Sequence, residues 1–461
     1  LEGSGVSSNI GIYMTKGTVN PTGTLGPNSN ITVKGDDSTG ALISNGTLNY
    51  GGNITVKGNG VSGLIIGDNG SNTTNATITS DGLITVNNGT DSAGIYTYID
   101  NSSGTPVTVK KGSYGIVVGK NSKFVSDGNH NVDVDIKVKG AESIGLYAGE
   151  NAKLEVKDHT VTADNVNYDA DKNSNLILKG TGTARTGKKS LLFYLGEDGT
   201  GKISIGNTMN ATIEGGTTPV ERGNAFYYVG NGTTFGATEI SNWAKNNFGD
   251  GTISTLGNLN LTMNPGSRLF IAQNVGMNLS ETTGLTISGA TGANIIGTDY
   301  KTFMLYLSKL TINQNVDLND TTDAYNHLEI SNSSITNALN KTMTGIQAND
   351  VAMAQENDKN LYSRNKVTLA NEGNINLSGI NSTGIYGKFG ELHNRTTGVM
   401  TIGNKSTAIY GVGDSLLENA GKMTIGTNSI AMYSEGSTTQ AMKNTGTIEL
   451  PQTDSVAMSY K

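Results

Sequence analysis

Apolar and polar positions fall into a two-part unit that recurs along the chain, and it is clearest over the last hundred residues. Asn371-Glu-Gly-Asn-Ile-Asn-Leu377 precedes Ser382-Thr-Gly-Ile-Tyr386, and Thr397-Gly-Val-Met-Thr-Ile402 precedes Ser406-Thr-Ala-Ile-Tyr410. Asn419-Ala-Gly-Lys-Met-Thr-Ile425 precedes Ser429-Ile-Ala-Met-Tyr433, and Asn444-Thr-Gly-Thr-Ile-Glu-Leu450 precedes Ser455-Val-Ala-Met-Ser459. Aligned on Gly384, Ala408, Ala431 and Ala457, the repeats are 24, 23 and 26 residues apart. The second half recurs earlier as Asn9-Ile-Gly-Ile-Tyr13, Ser92-Ala-Gly-Ile-Tyr96, Ser143-Ile-Gly-Leu-Tyr147 and Ser190-Leu-Leu-Phe-Tyr194. The first half recurs as Ile31-Thr-Val33, Ile54-Thr-Val56, Ile136-Lys-Val138, Leu154-Glu-Val156, Leu176-Ile-Leu178, Ile203-Ser-Ile205, Leu285-Thr-Ile287 and Leu310-Thr-Ile312. Apolar residues at i and i+2 with a polar residue between them predict strands with one buried face. The Gly or Asn that closes each run supplies the positive φ of a sharp corner.

A unit of two or three short strands cannot bury its own apolar face, whereas stacked copies can. The predicted fold is all-β: a single right-handed parallel β-helix (β-solenoid) over 1–461, with loop insertions. About fifteen to nineteen repeats at ~4.8 Å each would make a rod on the order of 70–90 Å long. The pattern lapses near 161–173, 217–250 and 331–364, which are predicted to be insertions. Ile240–Phe248 and Ile335–Met343 read there as loops or short helical turns. Insertions in repeat proteins emerge together and often carry the binding face.

Composition sharpens this picture. Glycine is 63 of 461 residues and proline only 6, with 15% charged residues. Charge this low, combined with recurrent Ile, Val and Thr, separates the chain from disordered tails. Net charge is 32 − 39 = −7 with no basic run, which argues against nucleic acid as a partner. Cysteine is absent, as suits a protein exported unfolded through an oxidising periplasm. The chain opens at Leu1-Glu2 inside repeat-like sequence and Lys461 still falls in the pattern, so we expect a piece of a longer protein.

The Ser-x-Gly/Ala-Ile-Tyr strand following an Asn-x-Gly-x-Ile-x-Ile strand resembles the passenger region of the large fusobacterial-type autotransporter adhesins, over nearly the whole chain. It is a repeat style, so it selects no one member. The resemblance implies type V secretion and display on the outer surface of a Gram-negative cell. Anchorage would be through the protein's own C-terminal outer-membrane barrel, outside this chain. It also implies cell adhesion, and through it virulence, by attachment to a host cell-surface receptor or glycan, or to a partner bacterium.

Candidate chemistry is sparse. Gly413-Asp414-Ser415-Leu416 looks like an esterase nucleophile block, but none of His130, His159, His327 and His393 follows it. Gly58-Asn-Gly-Val-Ser-Gly63 has the letters of a dinucleotide fingerprint but leads into another strand. Asp127, Asp133 and Asp135 could hold calcium, although an alternating solvated face accounts for them as well. No metal and no cofactor is assigned. Enzymes built on parallel β-helices gather carboxylates with basic residues, whereas Arg185, Arg222, Arg268, Arg364 and Arg395 are scattered. The expectation is a monomeric, non-enzymatic adhesin section, with a polysaccharide-active enzyme or a plain stalk as the alternatives. Tyr96, Tyr147, Tyr386, Tyr410 and Tyr433 are predicted to form a stripe on an outer strand face. Such a stripe either stacks on a ligand or stabilises its own sheet. Trp243, Phe248, Tyr300, Tyr325 and Tyr362 are the remaining candidate ligand-binding aromatics.

Overall fold

The computed structural model describes residues 10–14, 22–25, 30–34, 36–37, 39–43, 46–50, 53–57, 62–66, 76–80, 84–87, 92–97, 113–120, 123–125, 134–138, 143–248, 258–280, 291–362, 366–436, 442–451 and 453–461. For many of the N-terminal strand residues the description covers the backbone alone. The described chain is mostly short strands in parallel sheets, with helices at Ala237–Phe248 and Lys359–Tyr362. With few exceptions, a strand bonds to strands three places away in the chain. Ile144–Ala148, Lys153–Val156 and His159–Ala163 are followed by Val166–Ala170, Asn175–Leu178 and Gly182–Thr186, which pair with them in the same order, all parallel. The repeat thus has three strands.

By contact the chain divides into two units, Leu1–Tyr228 with Ile240–Phe270 and Ser288–Tyr300, and Val229–Glu239 with Ile271–Ile287 and Lys301–Lys461. In the first unit the interior is built from inward residues at matched register: Leu154, Leu176 and Ile203 in one sheet, Val161 and Ala184 in a second. In the third sheet Leu146, Tyr168, Phe193 and Phe226 align. That column is aromatic because a helix replaces a strand. After Asn224–Val229 the chain forms Ala237–Phe248 where, by chain order, a partner for Lys202–Ile205 would come. The helix buries Ile240, Trp243, Ala244 and Phe248, one face at helical spacing. Trp243 meets Phe226 and Phe270 edge-on at 5.7 and 5.4 Å, and Phe248 meets Phe193 at 5.3 Å. Large rings fill the space that strand side chains would otherwise occupy.

Two of the three expected insertions are largely regular sheet. The 161–173 span holds most of His159–Ala163 and all of Val166–Ala170. Its Asn and Asp content misled because Asn167 turns inward, donating from Nδ2 to the carbonyls of Val161 (3.0 Å) and Arg185 (3.1 Å). The 331–364 span holds Ser334–Asn337, Thr342–Gly345 and Val351–Glu356, and among its described residues only Lys359–Tyr362 is α-helical. Ile335 and Met343 are both fully buried strand residues. Within 217–250 the helix is present, but so is the strand Asn224–Val229. Leu285-Thr-Ile287 lies outside the described residues.

The second unit shows why the repeat needs its serine and its small residue. Asn381, Lys405, Asn428 and Asp454 occupy the same corner with φ of 57°, 55°, 53° and 56°. The serine that follows turns inward: Ser382, Ser406 and Ser429 are buried, so they do not share the outer face with tyrosine as simple alternation predicts. The Ser406 hydroxyl donates to the Asn404 carbonyl at 2.8 Å and accepts the Ser382 N–H at 2.9 Å, linking successive repeats. The strand also bends at its next positions, so that Ala408 and Ile409 are both fully buried. At the equivalent Gly384 a Cβ would collide with Met400 Cε.

A third column is polar. Asn337, Asn371, Asn394 and Asn419 are completely buried, each Nδ2 donating to the Oδ1 of the next at 2.8, 2.9 and 2.8 Å, and from Asn419 to Asn444 at 2.7 Å. Such ladders satisfy side-chain amides from one strand to the next.

Candidate functional site

The expected binding aromatics divide by burial. Trp243 is 8% exposed and Phe248 2%, so both are interior packing groups. Tyr325 is anchored, its hydroxyl donating to the Ala352 carbonyl at 2.8 Å; burial, then the Asp323 carboxylate, pushes its pKa up. Tyr300 is half-buried, with its pKa raised by burial. Tyr362 ends the short helix Lys359–Tyr362, and Tyr96 lies in Ser92–Thr97; both side chains fall outside the description. Among the weighed motifs, the Ser415 hydroxyl donates to Val412 (2.8 Å) and Gly387 (3.2 Å) carbonyls and accepts the Gly390 N–H (3.2 Å). It is a corner serine in backbone service. Ser62–Ile66 is a strand, where a dinucleotide fingerprint would start a helix. Asp127 and Asp133 lie outside the described residues, and Asp135 is described by its backbone alone.

The tyrosine stripe takes two forms. In the second unit Tyr386, Tyr410 and Tyr433 stand directly opposite one another on neighbouring strands. Their ring centroids are 5.4 and 5.1 Å apart. The Tyr410 hydroxyl donates to Glu435 Oε2 at 2.7 Å, which with burial pushes its pKa up to about 12, and Tyr386 donates to Glu356 Oε1 at 3.2 Å. The rings close on each other, and the Tyr386 and Tyr410 hydroxyls are engaged.

In the first unit the same outward column reads Tyr147, Asp169, Tyr194. The carboxylate interrupts the ladder, so the two rings stand two strand spacings apart, ~9.6 Å, too far to touch. A cavity of about 400 Å³ lies here, lined by Tyr147, Glu150, Asp169, Asp171, Lys172, Tyr194, Glu197 and Asp198. Asp169 is only 6% exposed. Tyr147 is fixed by its hydroxyl to Asp171 Oδ2 at 3.1 Å, and Tyr194 by Tyr227, whose ring lies 5.8 Å away. Burial, then Asp169, Glu197, Tyr227 and Asp171, pushes the Tyr194 pKa up to about 12. Glu150 pairs with Lys120 at 2.5 Å. The floor and rim carry five carboxylates against one ammonium, so the cavity is strongly electronegative. Among the described residues no group of His, Cys, Asp and Glu is placed to hold a metal ion.

Of these residues, Tyr147 belongs to the predicted tyrosine stripe and Tyr194 closes Ser190-Leu-Leu-Phe-Tyr194, a recurring second half of the repeat. Asp169 was hidden because Val166-Asn-Tyr-Asp-Ala170 looked like part of an insertion. Its apolar positions align with Ile144-Gly-Leu-Tyr-Ala148, an alignment that would have put Asp169 beside Tyr147. Compared with family models, curated proteins and solved structures, the chain matches none.

Proposed function

We propose that this chain is a section of a right-handed parallel β-helix displayed on a Gram-negative cell surface, the passenger of an autotransporter adhesin. Its anchor is a C-terminal outer-membrane barrel beyond this chain, and its partners are a host receptor or glycan, or another bacterium. Parallel pairing of strands three places apart supports a chain wound in one sense, and parallel crossovers favour the right hand. The section acts as a monomer that binds and performs no chemistry. The observation that carries the adhesive reading is the Tyr147–Asp169–Tyr194 cavity, a preformed concavity with two fixed aromatic rings on an outer strand face.

A plain stalk is the second reading, and the closed row of rings Tyr386–Tyr410–Tyr433 favours it for the second unit. The deciding experiment presents the purified chain to a panel of receptor ectodomains and a glycan array, alongside a Tyr147→Ala, Tyr194→Ala double variant. A hit lost in the variant supports adhesion through this cavity. No hit on either panel moves the whole chain to the stalk reading. Release of reducing ends from a panel glycan would instead recast the carboxylates as catalytic.

A further inference from the structure

We infer that the Tyr147–Asp169–Tyr194 cavity receives a lysine-rich segment of a protein partner, an ammonium lodging between the two rings above the Asp169 carboxylate. This rests on the adhesive reading and gives its ligand a chemistry. Three features of the cavity select a cation. A tyrosine ring presents a negative face that attracts an ammonium, and two rings bracket this position. Between them lies a carboxylate that is 6% exposed, so a charge placed there is weakly screened. Around the rim stand Glu150, Asp171, Glu197 and Asp198, with Lys172 as the only lining cation. Of these, Asp171 already accepts the Tyr147 hydroxyl and Glu150 already pairs with Lys120. Glu197 and Asp198 are both exposed at the rim, and Asp198 Oδ1 accepts from the Thr200 backbone N–H at 3.1 Å and from its hydroxyl at 2.8 Å. Because the carboxylates are spread around the rim, the site suits several ammonium groups on one chain better than a single small cation.

The same field repels sialylated or sulfated glycans. A neutral sugar could stack on the tyrosines, but its affinity would not depend on the carboxylates or on salt. That difference separates the two classes of ligand.

The test titrates the chain with a short tri-lysine peptide, with its fully N-acetylated form, and with a neutral disaccharide, followed by calorimetry. Expected is binding of the tri-lysine peptide alone, weakened by added salt. Asp169→Asn, which keeps the shape, should weaken it about tenfold or more. If that variant folds poorly, the rim variant Glu197→Gln, Asp198→Asn lies on exposed positions and should weaken binding about three- to tenfold. Equal binding of the acetylated peptide, binding of the disaccharide in its place, or no binding at millimolar peptide would overturn the inference. The adhesive reading is judged separately: a receptor or glycan hit that survives Asp169→Asn keeps adhesion and sinks the lysine site. Peptide binding without any panel hit does the reverse.

Discussion

Two outward columns of the same repeat position have opposite characters. Tyr386, Tyr410 and Tyr433 follow one another at ring-contact distance, and the Tyr386 and Tyr410 hydroxyls are bound to glutamates. Tyr147 and Tyr194 are parted by Asp169, and the column opens into a cavity. One substitution in a column thus separates a stabilising ladder from a pocket. In a repeat protein the strand spacing is fixed, so a cavity can arise by leaving out one ring and need not be built from loops. The interior differs in the same way between the two units. The second carries buried Asn and Ser columns that are nearly self-satisfied, while the first carries an aromatic core sealed by a helix.

The largest effect is expected where a continuous column is cut. Asn394→Ala removes the acceptor of Asn371 and the donor to Asn419 in a fully buried row. Leaving those amide groups without partners should cost about 2–4 kcal/mol. Hydrogen exchange should accelerate in Glu391–Asn394 and Leu416–Asn419 while Lys153–Val156 in the other unit stays protected. Unchanged exchange would mean that the ladder contributes nothing.

Ala408→Leu probes the bend next to the tyrosine. Because Ala408 and Ile409 are both fully buried, the extra methylenes should cost about 1–3 kcal/mol by overpacking, read as a lower denaturation midpoint. A neutral result would put this side chain outside, as strict alternation along the strand predicts.

These two substitutions also mark where the sequence was readable. Strands with Ile, Val, Leu or Met at alternate positions were legible, and so was the parallel stacking that their repetition demands. The third strand of the repeat was not, because in Thr368–Asn371, Glu391–Asn394 and Leu416–Asn419 a single buried Leu (Leu369, Leu392, Leu417) alternates with a buried Asn, which hydropathy reads as surface. The bend at Gly384, Ala408 and Ala431 defeated period-two reasoning at the corner serine, though the tyrosine was still placed outward. Trp243 and Phe248 looked like binding groups only because their helix replaces a strand, which pattern alone does not show.

Asp169→Tyr converts the open column into the closed one and is the most direct test of the comparison. The new ring would stand between Tyr147 and Tyr194, close the row and remove a buried carboxylate. We expect loss of tri-lysine peptide binding and a stability gain of about 0.5–1.5 kcal/mol, the range of aromatic pairs. Destabilisation would show that the first unit cannot hold the ladder geometry of the second.

The smallest expected effect is a pH dependence that each unit carries, among the described residues, through one buried histidine. Burial is the main influence on both and holds both pKa values below 6.5. At His159 the Lys157 carbonyl and then Asp158 oppose this, and the ring faces Tyr168 at 5.8 Å. At His393 the nearby Arg395 reinforces burial, while Glu418 and Glu391 pull the pKa back, with Glu418 Oε2 3.2 Å from Nδ1. Since the folded state resists protonation, the unfolded chain takes up the proton first as pH falls through 6.5. Stability is therefore full above 6.5 and declines below it until the folded pKa is reached, by at most ~1.4 kcal/mol per pH unit for each histidine. With less carboxylate support, His159 should dominate, so His159→Gln should flatten the fall in denaturation midpoint between pH 7.5 and 5.5 more than His393→Gln does. If His393→Gln flattened it more, the acidic flank of His393 would not compensate for its burial, and the contrast between the two interiors would fail at this point.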